Sequence, residues 1–291
     1  MDKPETFSTL MFVDECLLDG KRSRAFEAAI RNKVKPGDVV MDAGTGSGIL
    51  ALFAARTGAK RVYAVEVDPA VAMLAKRSFE ANPEGKRVLL VYSDLKRLEL
   101  DEPVDVLIME LLDTGLIGEE QVPALNALRS HGVISEKTKL IPERASCALQ
   151  LVEYDFAFYG FSMPMIVQAR NRGVASRIKK RLSRTIAYRQ VDFRSHVDTR
   201  VEEEVRIAVQ RPGTCNALLL RTQIRLDKGI SLWETSDMNM PVVVPITPLE
   251  VSRGDEVRIQ IRYDMGKGFE SLTVATKLTA SDVQTEEKRV G

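Results

Sequence analysis

Two hydrophobic rhythms alternate between residues 37 and 142. Short unbroken apolar runs, DVVMDAG (38–44), RVYAVEV (61–67), RVLLVYS (87–93) and VDVLIME (104–110), predict strands buried on both faces. The segments GILALFAARTG (48–58) and AVAMLAKRSFEAN (70–82) between them carry helical spacing, with Gly58 and Asn82 as stops. Strand alternating with helix predicts a parallel α/β sheet. Residues 1–36 read as helical, with Leu17, Phe26 and Ile30 apolar amid charge. Beyond LIPERA (140–145) the rhythm shifts towards period two. ASCALQLVEY, RVEEEVRIAVQ, ALLLRTQIRL and DEVRIQIRYDM are separated by turn signals such as RPGT and SRGDE, which predicts an antiparallel sheet or barrel. The expected organisation is therefore a helical segment (1–36), a parallel α/β domain (37–142) and a β domain (143–291).

Charge changes one part of this picture. From Phe156 to Val191 there is no acid, while Arg170, Arg172, Arg177, Lys179, Lys180, Arg181, Arg184 and Arg189 are all basic. Ile178, Leu182 and Ile186 lie four apart in that stretch, which predicts a helix with one apolar side. The chain as a whole is nearly neutral, at +1, so no global field marks it for nucleic acid or membrane. The basic stretch is also poor in aromatics for base stacking, which disfavours RNA. No apolar run approaches the roughly 20 residues of a membrane span, and MDKPETFS lacks the pattern of a secretory signal. Three scattered cysteines, Cys16, Cys147 and Cys215, make neither a disulfide framework nor a zinc spacing, and two histidines leave little for metal chemistry. No metal is expected, and the cytoplasm is the expected location.

The candidate chemistry sits at strand ends. VVMDAGTGSGIL places Asp42 at the end of the first strand, followed by Gly44, Gly46 and Gly48 and then a helix. Glycines allow tight turning and close backbone approach, and the helix start favours negative groups. The G-x-G-x-G spacing differs from the G-x-G-x-x-G dinucleotide fingerprint, so a nicotinamide dehydrogenase is disfavoured. Glu66 ends the second strand, about 20 residues on, where an acid can bind ribose hydroxyls. Asp94, with Leu95 beside it, follows the third strand and can take an adenine amino group. After the fourth strand comes MELLDTGLIGEE (109–120), which sets Glu110 and Glu119 at the two ends of an apolar loop containing Gly115 and Gly118. Paired carboxylates there suit a cationic, planar group such as a guanidinium.

Together these residues resemble the protein arginine methyltransferase family, whose members bind S-adenosylmethionine (SAM) on a Rossmann-like class I domain. VVMDAGTGSGILALFAARTGAKRVYAVEVD is similar to the family's cofactor region, and Glu110 and Glu119 fall on the acids of its double-glutamate loop. CLLDGKR resembles the helix motif in which an arginine, here Arg22, holds the SAM carboxylate three residues after an aspartate, here Asp19. LIPERA, YGFSM and AYRQVDF resemble the link to the family's β-barrel and parts of that barrel. The resemblance implies a Rossmann-like domain followed by an antiparallel β-barrel with a short helical arm at about 160–187. It implies SAM as cofactor, held by Arg22, Asp42, Gly44, Gly46, Glu66, Asp94 and Leu95, with a protein arginine as acceptor. It further implies a homodimer closed by the arm. Two departures stand out. The family's Thr-His-Trp loop corresponds to Ser231-Leu232-Trp233, which keeps Trp233 as a wall for the acceptor but puts leucine where histidine pairs with the helix aspartate. The tyrosines preceding the helix motif are replaced by STLMFVDE. Another acceptor (cysteine, another side chain or a small molecule) and a non-catalytic scaffold therefore stay open.

Overall fold

The computed structural model describes residues 10–168 and 173–279. Arg170 and Arg172 of the basic stretch lie outside the described residues. Helices α1 (Leu10–Leu18) and α2 (Gly20–Lys33) open the chain. Asp19 starts α2 by accepting the Arg22 amide, and Arg31 and Lys33 close its last turn, where cations suit the helix dipole. Phe26, Ala29 and Ile30 bury one face of α2. Leu17, one of the apolar positions of the helical pattern, is exposed near the end of α1.

Strands β1 (Val39–Ala43), β2 (Arg61–Glu66), β3 (Val88–Tyr92), β4 (Val106–Met109) and β5 (Lys139–Ile141) form a parallel sheet in the order β3-β2-β1-β4-β5. Helices α3 (Ile49–Arg56), α4 (Pro69–Glu80) and α5 (Gln121–Ser130) make the connections. Asp68 caps α4 and Pro69 occupies its first turn, where a missing N–H costs nothing. Strand order reverses between β1 and β4. Ligands of such sheets bind in the crevice at the carboxyl ends of the two strands that flank the reversal. Ala43 is in register with Met109, so Gly44 and Glu110 leave the sheet side by side at that crevice.

The antiparallel part begins with β6 (Arg144–Tyr154), followed by the hairpin β7 (Ala157–Phe158) and β8 (Phe161–Ser162). Next come β9 (Val167–Gln168), the single turn α6 (Gly173–Ser176), β10 (Ile178–Arg181) and β11 (Ile186–Asp192). Then follow β12 (Arg200–Ala208), β13 (Gly213–Asp227), β14 (Ile230–Leu232), β15 (Val242–Val251), β16 (Glu256–Asp264) and β17 (Thr273–Thr279). One sheet runs β10-β6-β13-β15-β9 and a second β12-β16-β17, with apolar faces in a core shared with the parallel domain. In β16 the buried Val257, Ile259 and Ile261 alternate with outward residues, as a one-sided strand requires.

The arm departs from expectation. Its helix is only the turn Gly173–Ser176, and the stretch expected to continue it is strand. Residues four apart are also an even number apart, so Ile178, Leu182 and Ile186 satisfy a strand as well as a helix. β10 pairs with β6, placing Arg181 opposite Val152, and that ladder decides between the two.

Candidate functional site

The glycine loop leaves β1 with positive φ at Gly44 (75°), Gly46 (54°) and Gly48 (84°). A Cβ on Gly44 would stand 2.8 Å from Leu111, and one on Gly48 2.5 Å from the Phe79 ring. At Gly46 an added Cβ would meet nothing nearer than Val13 of α1, at 3.9 Å, so there the backbone faces space roofed by the first helix. Asp42 is buried and braces the loop: its Oδ2 accepts the Thr45 hydroxyl at 2.6 Å and the Ala51 amide at 3.0 Å. Burial pushes its pKa up to about 6. Glu66 is 2% exposed and binds outward and inward at once. Its Oε2 accepts the Gly46 amide at 3.1 Å, and its Oε1 accepts the amides of Val67 and Asp68 at 2.9 and 3.0 Å. Asp94 caps the turn Leu95–Arg97 through the Lys96 amide, with Leu95 buried beneath it. A bare backbone at Gly46, a carboxylate closing β2, and a carboxylate with an apolar side chain closing β3 fit the three parts of a nucleoside cofactor.

The double-glutamate loop is folded by the β domain. Gly115 and Leu116 both take left-handed backbone, at φ 80° and 59°, which costs a non-glycine residue on the order of 1 kcal/mol or more. Hydrogen bonds from the barrel offset that cost. The Thr222 hydroxyl accepts the Gly115 amide (2.7 Å) and the Tyr263 hydroxyl donates to the Gly115 carbonyl (2.8 Å). Thr114 donates to the Met240 carbonyl at 2.7 Å, and the amides of Gly266 and Gly268 donate to Leu116 and Ile117. At the domain end, Gln121 is 1% exposed and grips both peptides beside Glu110. It accepts from the Leu111 amide at 2.9 Å and donates to the Met109 carbonyl at 3.2 Å.

This scaffold aims the acids differently. Glu120 turns outward, where both its oxygens accept from Lys96 at 2.8 Å, tying this loop to the Asp94 turn. Glu119 is part-buried and close enough to Glu110, Asp113 and Arg22 to feel their charges. Burial, then Glu110 and Asp113, push its pKa well above the ordinary value, against the pull of Arg22. Arg22 is the cation between these groups. Its Nε donates to Glu110 Oε2 at 2.7 Å and its Nη2 reaches the same oxygen, with both side chains nearly buried. Burial works against the Arg22 charge, but Glu110 outweighs it and holds the pKa above the ordinary guanidinium value. Asp113 is a third acid in the loop. It accepts the Gly118 amide at 2.7 Å, and burial pushes its pKa up to about 7.

Asp19 keeps a tie to the barrel, contrary to the expectation drawn from Leu232. Leu232 is buried and apolar. Asp19 instead accepts the Asp237 amide at 3.2 Å, on the loop just past Trp233, with the hydroxyls of Thr235 and Ser236 close enough to help hold its pKa down. Trp233 is half-buried, with the Arg221 guanidinium 4.6 Å from its ring centroid. The sequence reading missed Gln121, Asp113, Thr222, Tyr263 and the 235–237 loop. Asp113 lies inside the quoted motif and was legible as an acid; Thr222 and Tyr263 come from strands carrying no motif.

A model of the ribosomal protein L11 methyltransferase family (PrmA) matches residues 25–153. An uncharacterised protein of Methanocaldococcus jannaschii is 34% identical over 260 residues, covering 89% of this chain and 93% of that one. An arginine N(omega)-methyltransferase of Streptomyces achromogenes subsp. streptozoticus is 34% identical over 143 residues, 48% of this chain and 39% of that one. The chain belongs to the arginine methyltransferase-like family of class I SAM-dependent methyltransferases. Its cofactor is SAM. The fold agrees with the solved Trypanosoma brucei PRMT1 enzyme-prozyme heterotetrameric complex with AdoHcy, at TM-score 0.74 and 17% identity over 91% of this chain and 96% of that one. The match to the Streptomyces methyltransferase spans well under half of that protein, so family membership fixes the chemistry of methyl transfer and leaves the acceptor to the site.

Proposed function

We propose that this methyltransferase alkylates a guanidinium nitrogen of arginine, with Glu110 and Glu119 as the acceptor clamp. The observation that supports the reading is that Glu119 lies close enough to Glu110 for their charges to oppose each other, while its neighbour Glu120 is spent on Lys96. SAM, when bound, supplies an electrophilic methyl on a sulfur that departs as a neutral thioether. Arg22, Gly44, Gly46, Glu66, Asp94 and Leu95 are the residues that would hold it, with Asp42 shaping the loop. The clamp accepts N–H bonds from two nitrogens of the acceptor and draws its positive charge towards them, which frees the electron pair of the third. A cation arriving between the carboxylates also favours the ionised form of Glu119. Glu119, ionised in that complex, then takes the proton that the alkylated nitrogen must shed.

The test is label from methyl-labelled SAM, located by mass spectrometry in a mixture of arginine-bearing proteins and peptides. Label on a terminal guanidinium nitrogen, reduced about 10²–10³-fold by Glu119→Gln, is expected. Label on cysteine, or none with SAM bound, overturns the reading. A second reading, free arginine in place of protein, is favoured by Leu232 at the histidine position and by the Streptomyces relative, whose name specifies arginine alone.

We further infer a cytoplasmic homodimer, with residues 1–36, 37–142 and 143–291 as the working units. The free thiols Cys16, Cys147 and Cys215 support the compartment. No helix among the described residues is long and apolar enough to cross a membrane. The hairpin β7–β8 and the segment after it expose Tyr159 (98%), Phe161, Met163 and Met165, an apolar patch suited to a second subunit.

A further inference from the structure

The basic stretch contributes Arg181 to a rim around Trp233. β10 lies along β6 and delivers Arg181 to Gln150, whose Oε1 accepts from Arg181 Nη1 at 2.6 Å. That partner is neutral, and Arg181 has no ion pair with a carboxylate among the described residues. Arg221 of β13 is close by: burial, then the Arg221 charge, push the Arg181 pKa below the ordinary value, while Glu234 opposes both. Arg221 packs over the Trp233 ring and binds Glu234 through Nε (3.2 Å) and Nη2 (2.7 and 2.9 Å). Lys21 donates its Nζ to the Glu234 carbonyl at 3.2 Å, and the next residue, Arg22, holds Glu110. Arg221 thus holds the Glu234 carboxylate, Arg181 lies within reach of its charge, and Lys21 binds its backbone carbonyl, so three cations gather at one acid beside Trp233. Two further acids lie close by: Asp19, which accepts the Asp237 amide, and Asp237 itself.

The positive charge of Arg181 is a poor neighbour for an acceptor that is itself a cation. It repels arginine-rich chains on approach and favours an acceptor whose guanidinium is followed by negative charge. We propose that this rim selects a guanidine carrying a carboxylate, which Arg181 and Arg221 receive while Trp233 walls the carbon chain between. The inference rests on the guanidinium reading above and adds the chemistry of the acceptor's other end. The carboxylate has two sources: the α-carboxylate of free arginine, or an acidic residue beside arginine in a protein.

The experiment compares kcat/KM for four acceptors with saturating SAM. L-Arginine and agmatine share a guanidinium and differ in the carboxylate. Two peptides carry one arginine each, flanked by glutamates or by glycines. A preference of about tenfold or more for the carboxylate-bearing member of at least one pair is expected, the scale of one charge-assisted contact. The pair that shows it identifies the source. Arg181→Gln, at an exposed position, should shrink that ratio to less than about threefold, and added salt should shrink it in the wild type as screening dictates. Equal rates within both pairs, or a ratio untouched by Arg181→Gln, overturn the proposal while leaving guanidinium transfer intact. No transfer to any of the four, with SAM bound, overturns the guanidinium reading itself and the role of the rim with it.

Discussion

Glutamine at position 110 and glutamine at position 119 should have opposite effects on stability. The Arg22 and Glu110 side chains are 7% and 9% exposed. Glu110→Gln leaves a buried guanidinium without its counter-charge, which costs roughly 3–5 kcal/mol. For a chain of this size that corresponds to a Tm about 6–20 °C lower. Glu119 is opposed by burial and by the charges of Glu110 and Asp113. Its folded pKa is raised, so its contribution to stability is fully present below the unfolded value near 4.5 and is lost as pH rises through the folded pKa. Glu119→Gln removes that loss, and the variant should match or exceed wild-type stability, with a margin that widens from about pH 6 to about pH 8.5. The assay is thermal unfolding without SAM or acceptor at those two pH values. Loss of stability in both variants, or a Glu119→Gln protein less stable than wild type at the higher pH, refutes the arrangement of two acids around one arginine. Both variants should lose methyl transfer, so activity alone cannot replace this measurement.

Asp113→Asn should flatten the pH dependence of unfolding. With a folded pKa of about 7, the carboxyl loses stability as pH rises from about 4 to about 7, by at most about 4 kcal/mol, and denaturant titrations across that window read the slope. Gln121→Leu strands a buried N–H and a buried C=O beside Glu110, costing roughly 2–6 kcal/mol; kcat should fall while SAM affinity measured by calorimetry changes less than about threefold. Asp19→Ala removes the α2 cap, about 0.5–2 kcal/mol, and frees the 235–237 loop. Because hydrogen bonds lower the Asp19 pKa despite burial, the wild type loses this stability as pH falls below about 4, and the variant should show a shallower acid limb. Phe161→Asp combined with Tyr159→Asp should move the mass seen by light scattering from two subunits to one; an unchanged dimer would remove the arm from the interface.

Sequence alone determined the parts whose constraint is local. Gly44, Gly46 and Gly48 are legible because the loop turns with positive φ at all three, and at Gly44 and Gly48 a side chain would also clash. Apolar runs between helical stretches identify a parallel sheet, and β1, β2, β3 and β4 fall inside the predicted runs, but the edge strand β3 is not covered and leaves Leu89 and Tyr92 exposed. Asp42 and Glu66 could be placed at strand ends, but not their tasks: only the folded loop shows Asp42 as a brace and Glu66 holding Gly46. Tertiary structure decided what depends on residues far apart in the chain. Ile178, Leu182 and Ile186 fit two periods, and pairing with β6 chose the strand. Asp19 is tied to the barrel by a loop amide rather than by a histidine, which no motif encodes. Glu119 and Glu120 are adjacent and chemically identical in the sequence. Lys96 on one side, and Thr222 and Tyr263 on the other, fix which acid faces the crevice. Side-chain direction in a loop is set by whatever the loop is bonded to, and here those bonds reach across 24, 107 and 148 residues.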